Sequence, residues 1–344
     1  MKRAFAPLLL LTLLLTSCGS QAGPEPVSAT EPVTGTVFAM DTVMDFTIYG
    51  EETLLAAAES RIHELEAKLS VTEESSEIYA INHNGSGHVS ADTADLLDQA
   101  LALCGQTGGA LDLSIYPVVR AWGFTTGDYG VPETEELAEL LAHVDYSKID
   151  FDRKQSAVTL PPDMEIDLGS VAKGYTGDQI LSLLREAGVT SALLNLGGNV
   201  QALGSKPDGS PWRIGVQNPL GDGYIGVLEV TDQAVITSGG YERYFVEDGE
   251  TYWHIIDPAT GAPAHSGLIS VTIIGGSGLM CDGLSTALFV MGLEDAAQFW
   301  RETGNFEAVF VTEDGQITIT EGLTDRFSLA DESPFDEVAV LYQE

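Results

Sequence analysis

Residues 212–237 read WRIGVQNPLGDGYIGVLEVTDQAVIT. Three short apolar runs, 212–216, 224–230 and 234–237, follow one another with Gly, Pro, Asn and Asp between them and leave no room for a helix. Runs of this length bounded by turn residues are strands that connect directly to each other. The pattern extends outward on both sides. Upstream, 192–196 is an apolar strand running into Gly197-Gly198. Downstream come 251–256, 269–274 and two strands near 307–312 and 316–320. Further back, Met44, Phe46 and Ile48 alternate with Asp45, Thr47 and Tyr49, as in a half-buried strand. Strands outnumber helices and mostly succeed one another. This predicts an α+β fold with largely antiparallel sheets and packed helices, not a doubly wound parallel sheet.

The predicted helices sit between these runs. Leu54, Leu55, Ala58, Ile62, Leu65 and Leu69 recur at helical spacing. A polar loop over 70–90 follows. Ser90 is a fitting N-cap for a helix burying Leu96, Leu97, Ala100 and Leu101. Pro132 opens another, with Leu137, Leu140, Leu141 and Val144 on one side. A hairpin is expected over 148–160 and a short strand over 165–168. The latter passes through Gly169 and Gly174 into a helix that stops at Ala187-Gly188. Two more helices are expected at 282–291 and 294–303.

The chain has 52 acidic and 15 basic residues and a net charge of −37. That argues against a nucleic-acid partner, because neutralising phosphates takes clustered Lys and Arg. The N-terminus reads as targeting, not fold. Lys2 and Arg3 precede an uncharged, leucine-rich stretch that is short for a membrane span and ends in Leu15-Thr16-Ser17-Cys18. This resembles a bacterial lipobox. The expected division is a lipoprotein signal over 1–17, lipidated Cys18 and a flexible tether to residue 34, a domain over 35–327, and an acidic extension over 328–344. The expected location is outside the cytoplasm, lipid-anchored to the cell membrane. Cys104 and Cys281 have no CxxC or Cys/His neighbourhood for zinc, and spacing alone does not decide whether they pair.

Four segments could carry chemistry. Asp167-Leu168-Gly169-Ser170-Val171-Ala172-Lys173-Gly174 feeds glycines and a lysine into a helix start, suited to an anion or simply a tight turn with a solvated lysine. In Cys281-Asp282-Gly283-Leu284-Ser285-Thr286 the carboxylate and the threonine hydroxyl are i and i+4, on one helical face. Mg²⁺ accepts such ligands; an N-cap aspartate with a back-bonded threonine is the plainer alternative. His254 precedes an Asp257-Pro258-Ala259-Thr260-Gly261 turn and is either a base or phosphate contact or a structural histidine. Asn195–Gly198 and Thr237-Ser238-Gly239-Gly240 are either anion nests or hairpin turns.

In order along the chain, these segments resemble the ApbE family, the FAD:protein FMN transferases. The likeness also takes in Met40-Asp41-Thr42, Ser76-Glu77-Ile78, Gly109-Ala110-Leu111-Asp112 and Trp122-Gly123-Phe124, and covers about residues 36–327. The resemblance implies a duplicated T-fold-like architecture. It also implies a Mg²⁺-dependent enzyme that takes FAD as substrate, moves FMN onto a threonine hydroxyl of an acceptor protein such as an electron-transfer flavoprotein subunit, and releases AMP. By the same resemblance, Met40, Ala110, Leu111, Asp112, Asp167, Lys173, His254 and Ile256 would contact FAD. Ser170 (through its carbonyl), Asp282, Ser285 and Thr286 would surround the metal, and His254 would be the base. Two positions depart from the family pattern. Thr72 stands where many members have a stacking aromatic, with Tyr79 the nearby substitute, and Asp41 replaces a glycine. A Mg²⁺-dependent FAD pyrophosphatase and a flavin-binding lipoprotein are the competing readings.

Overall fold

The structure is a computed structural model and describes residues 31–335 and 337–343. Strands β1 (Val33–Ala39) and β2 (Thr42–Ile48) form a hairpin. There follow α1 (Thr53–Leu69), α2 (Glu77–Asn84), β3 (Ser86–His88), α3 (Ala91–Gln106), α4 (Tyr116–Ala121), α5 (Thr134–Leu141), β4 (Asp150–Asp152) and β5 (Ala157–Thr159). Helix α6 (Gly169–Glu186) leads to β6 (Ala192–Leu196), β7 (Asn199–Leu203), β8 (Trp212–Gln217), β9 (Tyr224–Val230) and β10 (Ala234–Gly239). A ribbon of β11 (Tyr244–Glu247) and β12 (Glu250–Trp253) precedes β13 (Leu268–Gly275), α7 (Gly278–Thr303), β14 (Glu307–Thr312), β15 (Ile317–Thr320), β16 (Phe327–Leu329) and β17 (Val338–Leu341).

Among the described residues, the central sheet has nine strands in the order β1-β2-β6-β7-β10-β13-β14-β15-β17. Every pairing in it is antiparallel except β15 with β17. The order contains a repeat. Strands β1 and β2, then helix α6, then β6 and β7 make one four-stranded half; β10 and β13, then α7, then β14 and β15 make the other. The halves join where β7 pairs with β10.

Burial follows from the pleat. In β10, Ala234 and Ile236 turn to the helices while Val235 turns to the opposite face. The helix side is packed by α3, α6 and α7 through Leu97, Val171, Leu284 and Phe289. The other face of the second half is covered by the three-stranded sheet β16-β9-β8, through Trp212, Ile225 and Leu228 against Val235, Ile274 and Ile319. The quoted stretch thus supplies both the cover (β8, β9) and a central strand (β10). Phe289 is fully buried, and its truncation to Ala would cost about 3–5 kcal/mol.

Several expectations change. The polar loop over 70–90 holds helix α2, capped by the Ser76 side chain on the N–H of Tyr79. Residues 165–168 form no strand; Ile166 is tied instead by the Asn82 amide on both its N–H and C=O, 2.8 Å each. Strand β1 begins inside the stretch assigned to the tether. The acidic extension is not outside the fold: β17 lies within it and pairs with β15 along Ile317↔Val338 to Thr320↔Leu341. The two C-terminal helices run on as α7, with Gly292 at φ 79°, ψ 171° marking the break between them. Cys104 and Cys281 are buried and, among the described residues, unpaired. Cys18 and the rest of the targeting segment lie outside the described residues, among which no helix is long and apolar enough to cross a membrane.

Candidate active site

Helices α6 and α7 cross at two glycines. A Cβ on Gly174 would lie 2.2 Å from the carbonyl oxygen of Gly278, and one on Gly278 2.5 Å from that of Gly174. Only hydrogen permits this approach. It brings the Gly174 N–H within 2.8 Å of Asp282 Oδ2, while Gln201 Nε2 donates to the Gly174 carbonyl at 2.8 Å. In a regular helix that N–H goes to the carbonyl four residues back, which here is Ser170. Asp178 of α6 fixes the start of α7 by accepting from the N–H groups of Gly278 (2.7 Å) and Leu279 (3.0 Å) and from Ser277 Oγ (3.1 Å).

Asp282 is 5% exposed. Burial pushes its carboxyl up from the ordinary range, and the Lys173 charge pulls it back down. The Asn199 amide stands beside it and favours the charged form, although Asn199 Nδ2 reaches no partner in full hydrogen-bond geometry. A buried carboxylate with one N–H donor and no cation in contact, next to hydroxyl oxygens, suits a hard divalent ion. One turn on, Ser285 Oγ donates to the Asp282 carbonyl at 2.8 Å and lies 2.8 Å from Ser238 Oγ of β10; Ser238 Oγ is also 3.2 Å from Thr286 Oγ1.

The opposite wall stands on the ribbon. The strand expected over 251–256 stops at Trp253, so His254 lies one residue past β12, and both its backbone N–H (3.1 Å) and Nδ1 (3.2 Å) face the carbonyl of Arg243 just before β11. A carbonyl only accepts, so Nδ1 carries the proton and Nε2 keeps its lone pair. Burial, then the charges of Arg243 and Lys173, lowers His254 to about 4, so the ring is neutral at neutral pH. Glu242, just before β11, is exposed. It is closely enough surrounded that burial lifts its carboxyl to about 7, with Lys173 and Arg243 opposing and Asp282 reinforcing the shift. Asp167 is raised by burial, receives the Gly169 N–H at 2.9 Å and feels Arg243. Lys173 is thus within electrostatic reach of Asp282, Glu242 and His254, and Arg243 of Asp167, Glu242 and His254.

The remaining sequence candidates divide. Met40 sits at φ 49° and Asp41 at φ 58° in the β1–β2 turn, so Asp41 adopts the left-handed backbone that a glycine would take there. The Met40 N–H donates to Glu66 Oε1, and its sulfur meets the Thr176 hydroxyl of α6 at 3.8 Å. Asp112 turns inward: its carboxylate accepts from the Ser114 N–H and hydroxyl (2.8 and 2.6 Å) and the Tyr146 N–H (3.0 Å). Leu111 is in the core, which leaves Ala110 and backbone atoms as the accessible part of that segment. Ile256 is 6% exposed and packs with Val118, Trp122 and Phe124. Asp257 holds its own turn through Ala259 and Thr260. Gly197 (φ 61°) and Gly198 (φ 95°) make a two-residue hairpin turn between β6 and β7, so that segment is a turn. Thr237–Gly239 is the end of β10, not a turn. Thr72 is exposed and bonded to Ser70, and the Tyr79 ring is stacked on His83 at 3.8 Å.

Glu242, Arg243 and Ser238 were not singled out from sequence as site residues. Ser238 lay in a quoted motif, but its value depends on β10 running beside α7. Glu242 and Arg243 carry no periodic signal; the ribbon alone brings them opposite Lys173.

The fold and cleft define a class: a duplicated antiparallel α+β protein whose paired helices and ribbon enclose a carboxylate–hydroxyl site, a lysine and a neutral histidine. The chain belongs to the ApbE family, whose sequence model matches residues 40–310. It is 32% identical over 335 residues to an FAD:protein FMN transferase of Treponema pallidum, covering 92% of each chain. It is 35% identical over 287 residues to one from Klebsiella pneumoniae, covering 82% of this chain and 89% of the relative. The crystal structure of the ApbE protein of Thermotoga maritima superposes with a TM-score of 0.81 at 34% identity, over 86% of this chain and 99% of that one.

Proposed function

We propose that this protein transfers FMN from FAD to a threonine hydroxyl of an acceptor protein, with AMP as the leaving group. The family relationship and the names of its relatives supply the reaction class. The observation that carries the residue roles is the buried Asp282 carboxylate, which accepts the Gly174 N–H and stands one turn from the linked hydroxyls of Ser238, Ser285 and Thr286. Lys173 is within electrostatic reach of both Asp282 and His254.

Asp282, the Thr286 hydroxyl and the Ser170 carbonyl would hold Mg²⁺, whose bound charge would neutralise pyrophosphate oxygens of FAD. Lys173 and the N-terminal N–H groups of α6 bind and orient the phosphates. His254 Nε2 accepts the proton of the acceptor hydroxyl as its oxygen bonds to the FMN phosphorus. The bond from that phosphorus to the AMP oxygen breaks, and AMP departs with the electron pair. The protein works outside the cytoplasm, held to the membrane by lipid on Cys18; a diacylated cysteine gives the two-chain hold that persists.

The test is incubation with FAD, Mg²⁺ and an electron-transfer flavoprotein subunit, followed by mass analysis. An FMN phosphoester on a threonine with equimolar AMP is expected. Free FMN and AMP with unmodified acceptor would replace this reading with the pyrophosphatase. For the location, Cys18→Ala should leave the membrane fraction; a variant that still fractionates with membranes removes the anchor.

A further inference from the structure

The hydroxyls beside Asp282 have a direction. A hydroxyl has one proton, and a backbone carbonyl only accepts. Ser285 Oγ donates to the Asp282 carbonyl at 2.8 Å, which commits its proton. Its 2.8 Å contact with Ser238 Oγ therefore has Ser238 as donor. The Ser238 proton is then committed too, so at the 3.2 Å contact with Thr286 Oγ1 it is Thr286 that donates and Ser238 that accepts. The chain runs Thr286 O–H to Ser238 O–H to Ser285 O–H to the Asp282 carbonyl. Ser285 is 0% exposed, at the buried end, while Thr286 is half-buried.

From this we infer that Ser238 is a positioning residue for the metal site, a role that rests on the assignment of the metal to Asp282 and Thr286. A neutral hydroxyl binds a cation through an oxygen lone pair, and its proton must then point elsewhere to an acceptor. Ser238 Oγ is that acceptor, and it is held as an acceptor because Ser285 takes its proton. Ser238 comes from the sheet and Thr286 from the helix, so strand β10 sets the orientation of a ligand on α7. Outer partners of metal ligands typically change metal affinity by ~10–100-fold when removed.

The experiment reads metal binding without turnover. Mn²⁺ is titrated into the purified protein in the absence of FAD, and free Mn²⁺ is followed by electron paramagnetic resonance. Wild type, Asp282→Ala, Ser238→Ala and Ser238→Thr are compared, with the thermal midpoint of each metal-free protein as the folding check. Binding should be lost in Asp282→Ala, weakened ~10–100-fold in Ser238→Ala, and restored to within about threefold of wild type in Ser238→Thr, which keeps the hydroxyl on a strand that favours branching. Binding in Ser238→Ala equal to wild type, while Asp282→Ala has lost it, overturns the role of Ser238 and leaves the metal assignment standing. Equal binding in wild type and Asp282→Ala, or none in wild type, overturns both. If Ser238→Ala is too unstable to assay, Ser238→Cys replaces it; its poor acceptor should also weaken binding, and wild-type affinity there would overturn the role.

Discussion

The two walls of the cleft are built on different principles. The helix wall is rigid by wiring: Gly174, Gln201, Asp178, Asp282, Ser285 and Ser238 are joined by hydrogen bonds whose partners come from α6, β7, α7 and β10. Among the described residues the ribbon wall has strand pairing only between β11 and β12, and it is attached by aromatic contacts; Tyr244 is 51% and Val246 60% exposed. The proposed hard cation would demand fixed ligand geometry, which suits the helix wall. A proton acceptor needs the right tautomer and charge environment, and one carbonyl plus two neighbouring cations give His254 both. The difference predicts that damage to the helix wall is larger and less conditional than damage to the ribbon.

Asp282→Ala is therefore expected to have the largest effect. The protein should keep its circular dichroism spectrum, since Gly174 loses only one partner. Metal-ion stabilisation is worth several kcal/mol, so transfer should fall by about 10⁴-fold, and exhaustive chelation of wild type should do the same. Full activity in the folded variant would break the comparison at its strongest point. His254→Ala comes next, with a loss of on the order of 10²–10³-fold in kcat, within the general-base range, and little change in FAD binding. A KM effect with unchanged kcat would make His254 a binding residue only.

A pH series sharpens the contrast. His254 is lowered to about 4 by burial first and then by Arg243 and Lys173, so the competent neutral ring persists until the pH falls toward that value. The acid limb of kcat/KM should lie well below the ordinary histidine value of about 6.5. Arg243→Gln removes one positive charge but keeps the backbone carbonyl that fixes the tautomer. It should move that limb upward and lower activity only on the acid side. A limb that stays in place would show that Arg243 does not set the histidine, leaving burial and Lys173.

The same division governs what could be read in advance. That Asp282 and Thr286 share one helical face was legible because i, i+4 spacing is a property of one helix, and the two helices expected at 282–291 and 294–303 flank the break at Gly292 in α7. The strand-rich second half was legible from alternation and turns. Helix α2 was missed because eight residues among polar neighbours give too little period to count. Asp112 could be placed near the substrate only by resemblance; that its carboxylate turns to Ser114 and Tyr146 depends on a chain segment more than thirty residues away. Glu242 and Arg243 were invisible because the ribbon, not local sequence, sets them opposite Lys173. The hydroxyl chain needed two elements, β10 and α7, and no single segment contains it.

The smallest expected effect tests how the ribbon is attached. Phe245 stacks on Tyr129 (5.4 Å, 19°) and on Tyr252 (5.2 Å, 23°), and lies 5.7 Å from Phe124, whose ring meets His254 edge-on at 6.3 Å. Aromatic pairs contribute ~0.5–1.5 kcal/mol beyond burial, so Phe245→Leu gives up roughly 1–3 kcal/mol from two stacked pairs while keeping apolar bulk. Among the described residues the ribbon pairs with no other strand, so this loss should appear as local opening, not global unfolding. Amide exchange in β11 and β12 should accelerate, the thermal midpoint should scarcely move, and kcat should fall three- to tenfold (about 0.7–1.4 kcal/mol) as His254 loses its fixed approach. Leu284→Ala is the matched control on the helix wall. It is 2% exposed in α7, and its truncation should cost about 2–5 kcal/mol and lower the midpoint of the whole protein. If Phe245→Leu lowers the midpoint as much as Leu284→Ala and leaves ribbon exchange unchanged, the two walls are one cooperative unit and the contrast between them fails.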